Sequence, residues 1–168
     1  MILTKEELLS CLRTEVRLVL HLASKVDSTK LDYRPTPKQR NLLEVLRYFV
    51  LVGPIHLRGI LADSFSMDSW RDAWRAGESS VKSMDLEQTK EAIGKLPAQF
   101  AELLMPCPEE YLRAQFEMFG AKTSRGALIV SLVLCHYSAY RMQLFLYLKS
   151  SGREELNTLN LWAGRDIM

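Results

Sequence analysis

The chain has 168 residues, 48% apolar and 25% charged, with 22 basic and 20 acidic side chains and a net charge of +2. That length and balance describe one ordinary globular domain, and no block of like charges is present to track a phosphate backbone or lipid head groups, so neither nucleic acid nor a membrane is an expected partner. No apolar stretch approaches the ~20 residues of a membrane span, and three cysteines without a C-x-x-C pair, Cys11, Cys107 and Cys135, read as small, buried, reduced thiols in the cytoplasm.

The first helix starts at Thr4. Thr4-Lys5-Glu6-Glu7 is a capping box, in which hydroxyl and carboxylate each satisfy a backbone N–H of the first turn, and Leu3 and Leu8 are placed to staple it. Leu8, Leu12, Val16, Val19, Leu20 and Ala23 then recur at steps of three and four, an apolar stripe to about Lys25 with Arg13, Arg17 and His21 on the solvated side. A polar connector, Asp27 to Arg34, leads to Pro35-Thr36-Pro37. There Thr36 and Gln39 have capping-box spacing and Pro37 takes the first helical position, which predicts the start of a second helix. Its apolar positions from Leu42 to Val52 cover more than half the circumference, so it is packed on several sides. Gly53-Pro54 kinks it without ending it before about Ala62.

Residues 63–84 read as a connector holding one short helical turn, with Trp70 and Trp74 as anchors. The third helix runs from about Asp85, with Leu86, Ile93, Leu96, Phe100, Leu103 and Leu104 on one face, and stops at Pro106-Cys107-Pro108. From Leu112 to Met118 apolar and polar residues alternate, the period of an extended segment or hairpin. The fourth helix is capped by Thr123 or Ser124 and reaches about Lys149 before Gly152, hence about 39 Å. Ala127 to Cys135 is apolar nearly all round, so its first half is expected to be enclosed by the other three helices. The expected fold is all-α, a four-helix bundle with long connectors, as a single domain over residues 1–168.

The informative stretch is Cys135 to Gln143. His136, Tyr140, Gln143 and Tyr147 fall at steps of four, three and four and share one face of a buried helix. Polar groups there carry a desolvation cost, so the stripe is either a satisfied hydrogen-bond network or the wall of a wet pocket. Tyr48 on the second helix is the polar-tipped residue that can face it. His56 lies two turns further on and is the one other histidine able to approach the same cavity, but with Pro54 between them it reads better as a structural histidine near the kink. Cys135 and His136 are adjacent and point about 100° apart, which disfavours a thiol–imidazole pair. Arg141 and Gln143 are as well placed to brace a connector or a dimer contact as to touch a substrate, and Trp70, Trp74 and Trp162 read as anchors.

These residues resemble the DinB superfamily, also called YfiT-like proteins. Its helix-two pattern R-S-x-x-E-L-L-x-H is similar to Arg40-Asn41-x-x-Glu44-Val45-Leu46-x-Tyr48. Its helix-four pattern H-x-x-x-H-R-x-Q is similar to His136-x-x-x-Tyr140-Arg141-x-Gln143. The closing runs Tyr147-Leu148-Lys149-x-x-Gly152 and Glu155 to Gly164 fit as well. The resemblance implies a four-helix bundle, a homodimer, and a divalent metal (Ni, Zn or Fe) held by three histidines. Here the metal positions are Tyr48, His136 and Tyr140. A lone imidazole falls short of the usual three protein ligands, and a phenol must first lose a proton of pKa ~10. The expectation is therefore an altered site inside the bundle that works without a metal. The alternatives are a metal-dependent enzyme resembling the family's thiol transferases or maleylpyruvate isomerase, a protein binding a small apolar ligand between its helices, and a dimeric interaction module.

Overall fold

The computed structural model describes residues 3–166. Four long helices make the bundle: α1 (Lys5–Ala23), α2 (Leu42–Ile60), α4 (Leu86–Leu104) and α7 (Cys135–Ser150). Between α2 and α4 lies α3 (Met67–Val81). Between α4 and α7 come α5 (Glu109–Arg113), the hairpin β1 (Gln115–Met118) and β2 (Ala121–Ser124), and α6 (Arg125–Ile129). A π-helical segment, Val130–Leu134, joins α6 to α7, so that Arg125–Ser150 is one continuous helix of 26 residues. α1 and α2 each pack against both α4 and α7, which sets α4 and α7 on opposite corners of the bundle. Leu12, Val19, Leu22, Leu46, Phe49, Ile93, Phe100, Leu144 and Leu148 form its fully buried centre, each contributing about 1.5–3 kcal/mol through removal from water.

The first helix starts as its sequence dictates: Thr4 accepts from the Glu7 N–H at 3.1 Å and Glu7 accepts from the Thr4 N–H at 2.7 Å. Helix two, however, begins at Leu42 and not at Pro37. Asn41 accepts from the Glu44 N–H at 2.8 Å and Glu44 returns the bond to the Asn41 N–H at 2.7 Å. This box lies directly ahead of the first core residues, whereas Thr36 and Gln39 close an exposed turn with a side-chain bond of 3.0 Å. The helix runs unbroken through Pro54. At Gly53, α4 and α7 both come very close: an added Cβ would stand 2.7 Å from Phe100 Cζ and from the Tyr137 hydroxyl. Tyr137 donates its hydroxyl proton to the Phe49 carbonyl at 2.7 Å, tying α7 to α2.

Four features depart from the sequence reading. The expected short turn around the tryptophans is α3, a helix of 15 residues capped by Ser66 and packed against α2; Val81 is the one residue of α3 that is buried, which is why it lacks the apolar signature of a bundle helix. Leu112 is not extended but sits buried in α5, and the extended segment is the hairpin that follows, turned by Phe119 and Gly120 with φ of 53° and 77°. The first half of the last helix is not enclosed all round, because Ala127, Ser131 and Cys135 lie exposed. The thiols follow suit, with Cys135 exposed and Cys11 and Cys107 half-buried. Finally, His21 is not simply solvated: it is half-buried and its Nε2 lies 3.2 Å from Asn160 Nδ2 and 3.8 Å from the Asp166 carboxylate. By length and composition Arg125–Ser150 is apolar enough to cross a membrane, although no single run in the sequence suggested it. Its packing on α1 and α2 and the burial of Arg125 and Arg141 give it the character of a core helix.

Candidate functional site

The π segment widens the helix one turn ahead of His136, a feature that recurs at functional sites. Beyond it α7 presents His136 and Tyr140 toward α2. The Tyr48 ring, 8% exposed, stacks on Tyr140 with centroids 4.3 Å apart and planes at 30°. Tyr140 lies parallel to His136, within 7°, at 6.4 Å. His136 in turn stands 5.2 Å from His56. The structure thus brings Tyr48, Tyr140 and His136 into one row of rings, and it adds His56 at the end of that row, where the sequence favours a structural residue near the kink over a member of the cavity.

α3 and the hairpin cover this row. Trp74 lies 5.6 Å from Tyr48 and 6.2 Å from His56, Trp70 lies 5.9 Å from His56, and Phe119 lies 6.1 Å from it. His56 is only 5% exposed, and its Nδ1 and the Trp70 Nε1 are buried without a hydrogen-bond partner. Burial, reinforced by the neighbouring His136, pushes the His56 imidazole down to about 4. For Tyr48, burial and then the adjacent Tyr140 hold the phenol well above its ordinary range, against the opposing pull of Arg40. The Arg40 guanidinium lies 4.3 Å over the Tyr48 ring and donates to the Tyr140 oxygen at 3.3 Å.

The donor set does not suit a divalent ion. Tyr48 is held in its neutral form, its ring is occupied by Tyr140 on one contact and Arg40 on another, and the Arg40 guanidinium, itself a cation, already donates to the Tyr140 oxygen. Among the described residues no three His, Cys, Asp or Glu side chains come together as ligands. Two imidazoles and two phenols are a hydrogen-bonding set, and they can orient a ligand through donated and accepted hydrogen bonds.

Above Tyr48 a cleft of about 410 Å³ opens between residues 34–40, α2 and the end of α3. Leu51 and Val81 form its apolar wall and Arg40 its inner edge. Sequence reasoning missed Arg40, Trp74 and this cleft as parts of the site. The arginine opens the helix-two motif and was a visible signal, but the cleft depends on the unforeseen length of α3. The rest of the stripe closes on itself: Gln143 Nε2 donates to the Tyr147 oxygen at 2.8 Å. Arg141 braces the bundle, as described below, and Trp162 stacks on its guanidinium at 4.7 Å while remaining largely exposed.

No family model matches the sequence, and no curated protein matches it. Solved structures do match the fold. A DinB-like protein of Bacillus subtilis shares 17% identity with this chain at a TM-score of 0.67, over 89% of this chain and 94% of its own. A DinB-like protein of Bacillus cereus shares 17% identity at a TM-score of 0.69, over 90% of this chain and 95% of its own. Matched along nearly their whole lengths, these structures establish that the chain has the DinB-like helical-bundle fold.

Proposed function

We propose that the protein is a DinB-superfamily member whose metal centre has become a metal-free cluster of tyrosines and histidines, and that it binds a small molecule in the cleft over Tyr48. One observation carries this reading: Tyr48 belongs both to the row of rings and to the wall of an open cleft whose volume lies within the range of small-molecule pockets. The Tyr48 phenol supplies a hydrogen bond from the cleft wall, and Leu51 and Val81 take the apolar part of the ligand. The free thiols, one of them exposed, fit the reducing cytoplasm. A thermal-shift screen of small organic molecules against metal-stripped protein tests the proposal. A ligand at about one hundred times its Kd stabilises by about 2.7 kcal/mol, a shift of roughly 5–10 °C for a domain of this size. Hits are expected to perturb the amide resonances of Tyr48, Leu51 and Val81. If no hit from any chemical class perturbs them, the cleft is not a binding site.

A second reading concerns assembly and rests on a separate observation. The exposed side of the last helix carries Ala127, Ser131, Cys135 and Ala139, and ends in Leu146, which is 53% exposed. Small and apolar residues on a central helix allow close approach of a second copy, and we read this face as the seam of a homodimer. Sedimentation velocity should then give a species of twice 19.3 kDa that Ser131→Arg dissociates. A concentration-independent monomer would remove this reading.

A further inference from the structure

The cleft over Tyr48 carries more charge than an apolar ligand requires. Five basic side chains line it: Arg34, Lys38 and Arg40 ahead of α2, Arg47 on α2, and Lys82 at the end of α3. Two carboxylates face them, and both are already engaged. Glu44 accepts from the Asn41 N–H at 2.7 Å and meets Arg34 at 3.8 Å, while Glu78 accepts from Trp74 Nε1 at 3.0 Å. Arg47 is anchored on the Met84 carbonyl, and Arg40 on Tyr48 and Tyr140. Lys38 and Lys82 are exposed and have no ion-pair partner among the described residues.

Gathering cations in a concavity raises their mutual repulsion and focuses a positive field into the space between them. A counter-anion relieves both. The three cations that are anchored through backbone, ring or carboxylate contacts keep their charge directed while losing freedom in advance, which lowers the cost of ordering them around a ligand. Arginine forks suit carboxylate and phosphate oxygens, and the neutral Tyr48 phenol adds a donor without adding negative charge. The volume of about 410 Å³ and the apolar Pro37, Leu51 and Val81 in the lining leave room for a compact carbon skeleton. It is too small for a polynucleotide or protein surface.

We propose that this cleft takes a small organic anion, a carboxylate or phosphate monoester on a compact apolar body, with its charge at the basic rim and its body against Leu51 and Val81. The inference rests on reading the cleft as a binding site. The test uses phenyl phosphate, benzoate, phenol and inorganic phosphate as probes, followed through the amide shifts of Tyr48, Leu51 and Val81. Phenyl phosphate should bind at least about tenfold more tightly than phenol, and added salt should weaken it. The double variant Lys38→Glu, Lys82→Glu should lose that advantage while keeping its melting temperature, since both side chains are exposed.

Equal binding of phenol and phenyl phosphate at these residues would overturn the anion proposal and leave the cleft as a binding site. Silence from every probe would remove both. Inorganic phosphate binding as tightly as phenyl phosphate would overturn the apolar body. Co-sedimentation with phosphatidylglycerol vesicles separates a lipid headgroup from a free ester: none is expected, and co-sedimentation lost in the double variant would overturn the free anion in favour of a lipid.

Discussion

The last helix carries two polar faces packed against its neighbours, and they are finished differently. Toward α1, Arg141 is 2% exposed and grips Glu15 with two nitrogens, Nε to Oε2 at 2.8 Å and Nη2 to Oε1 at 3.2 Å. Its Nη1 donates to the Leu161 carbonyl, and Ser138 donates to Glu15 Oε1 at 2.9 Å. Toward α2, His136 and Tyr140 meet His56 and Tyr48, and there buried nitrogens on His56 and Trp70 have no partner. An unpaired buried polar group costs about 1–3 kcal/mol. The closed face fixes the C-terminal segment onto α1 and so belongs to architecture. The incomplete face reaches the basic cleft through Tyr48, which lines it, and that shared residue gives this face the character of a site.

If this contrast is right, the largest effect comes from breaking the closed face. Glu15→Ala strands the Arg141 charge in the core and should destabilise the protein by about 3–5 kcal/mol in urea unfolding, and a further Arg141→Met change should recover most of that loss. A loss below about 1 kcal/mol would show that the pair behaves as a surface ion pair.

The incomplete face should reveal itself through pH. The His56 imidazole titrates near 6.5 when unfolded and at about 4 when folded, so the unfolded chain binds more protons between those values and stability falls as pH drops through that window. The loss should approach about 3 kcal/mol by pH 4, and His56→Phe should flatten it. An unchanged acid limb in the variant would mean that His56 is not held neutral.

Gly53→Ala probes how closely α7 approaches α2. Its new methyl group would press on Phe100 and the Tyr137 hydroxyl, each 2.7 Å away, at an expected cost of about 1–3 kcal/mol. The smallest change is Tyr140→Phe, which frees Arg40 from a bond of 3.3 Å at an exposed position. Stability should shift by less than about 1 kcal/mol while the affinity of the cleft for phenyl phosphate changes.

Much of the bundle was readable from the chain because periodicity and caps are local. Thr4 with Glu7 starts α1 as the spacing predicts, and α4 starts after Asp85 as its apolar face predicts, with a box between Asp85 and Gln88 that only the structure brought out. The same logic misplaced the start of α2, since Thr36-Gln39 and Asn41-Glu44 both have the spacing and only burial of Leu42 onward decides between them. Tyr48, His136 and Tyr140 were legible as a group through motif spacing on two helices. The basic rim was not, because Arg34, Lys38, Arg40, Arg47 and Lys82 are dispersed over nearly fifty residues with acidic neighbours between them. They meet only because α3 folds back along α2. His56 reads as structural because a kink is expected at Pro54 between it and Tyr48; α2 runs through Pro54 unbroken, and His56 reaches the row of rings.

The central claim is that the tyrosine and histidine centre works without a metal, and imidazole nitrogen chemical shifts during titration with zinc report on it directly. The account predicts that the ring nitrogens of His136 and His56 stay at their metal-free positions through one equivalent of zinc at neutral pH. A stoichiometric shift of His136, saturating at one zinc per chain, would contradict it and return the protein to metal-dependent chemistry.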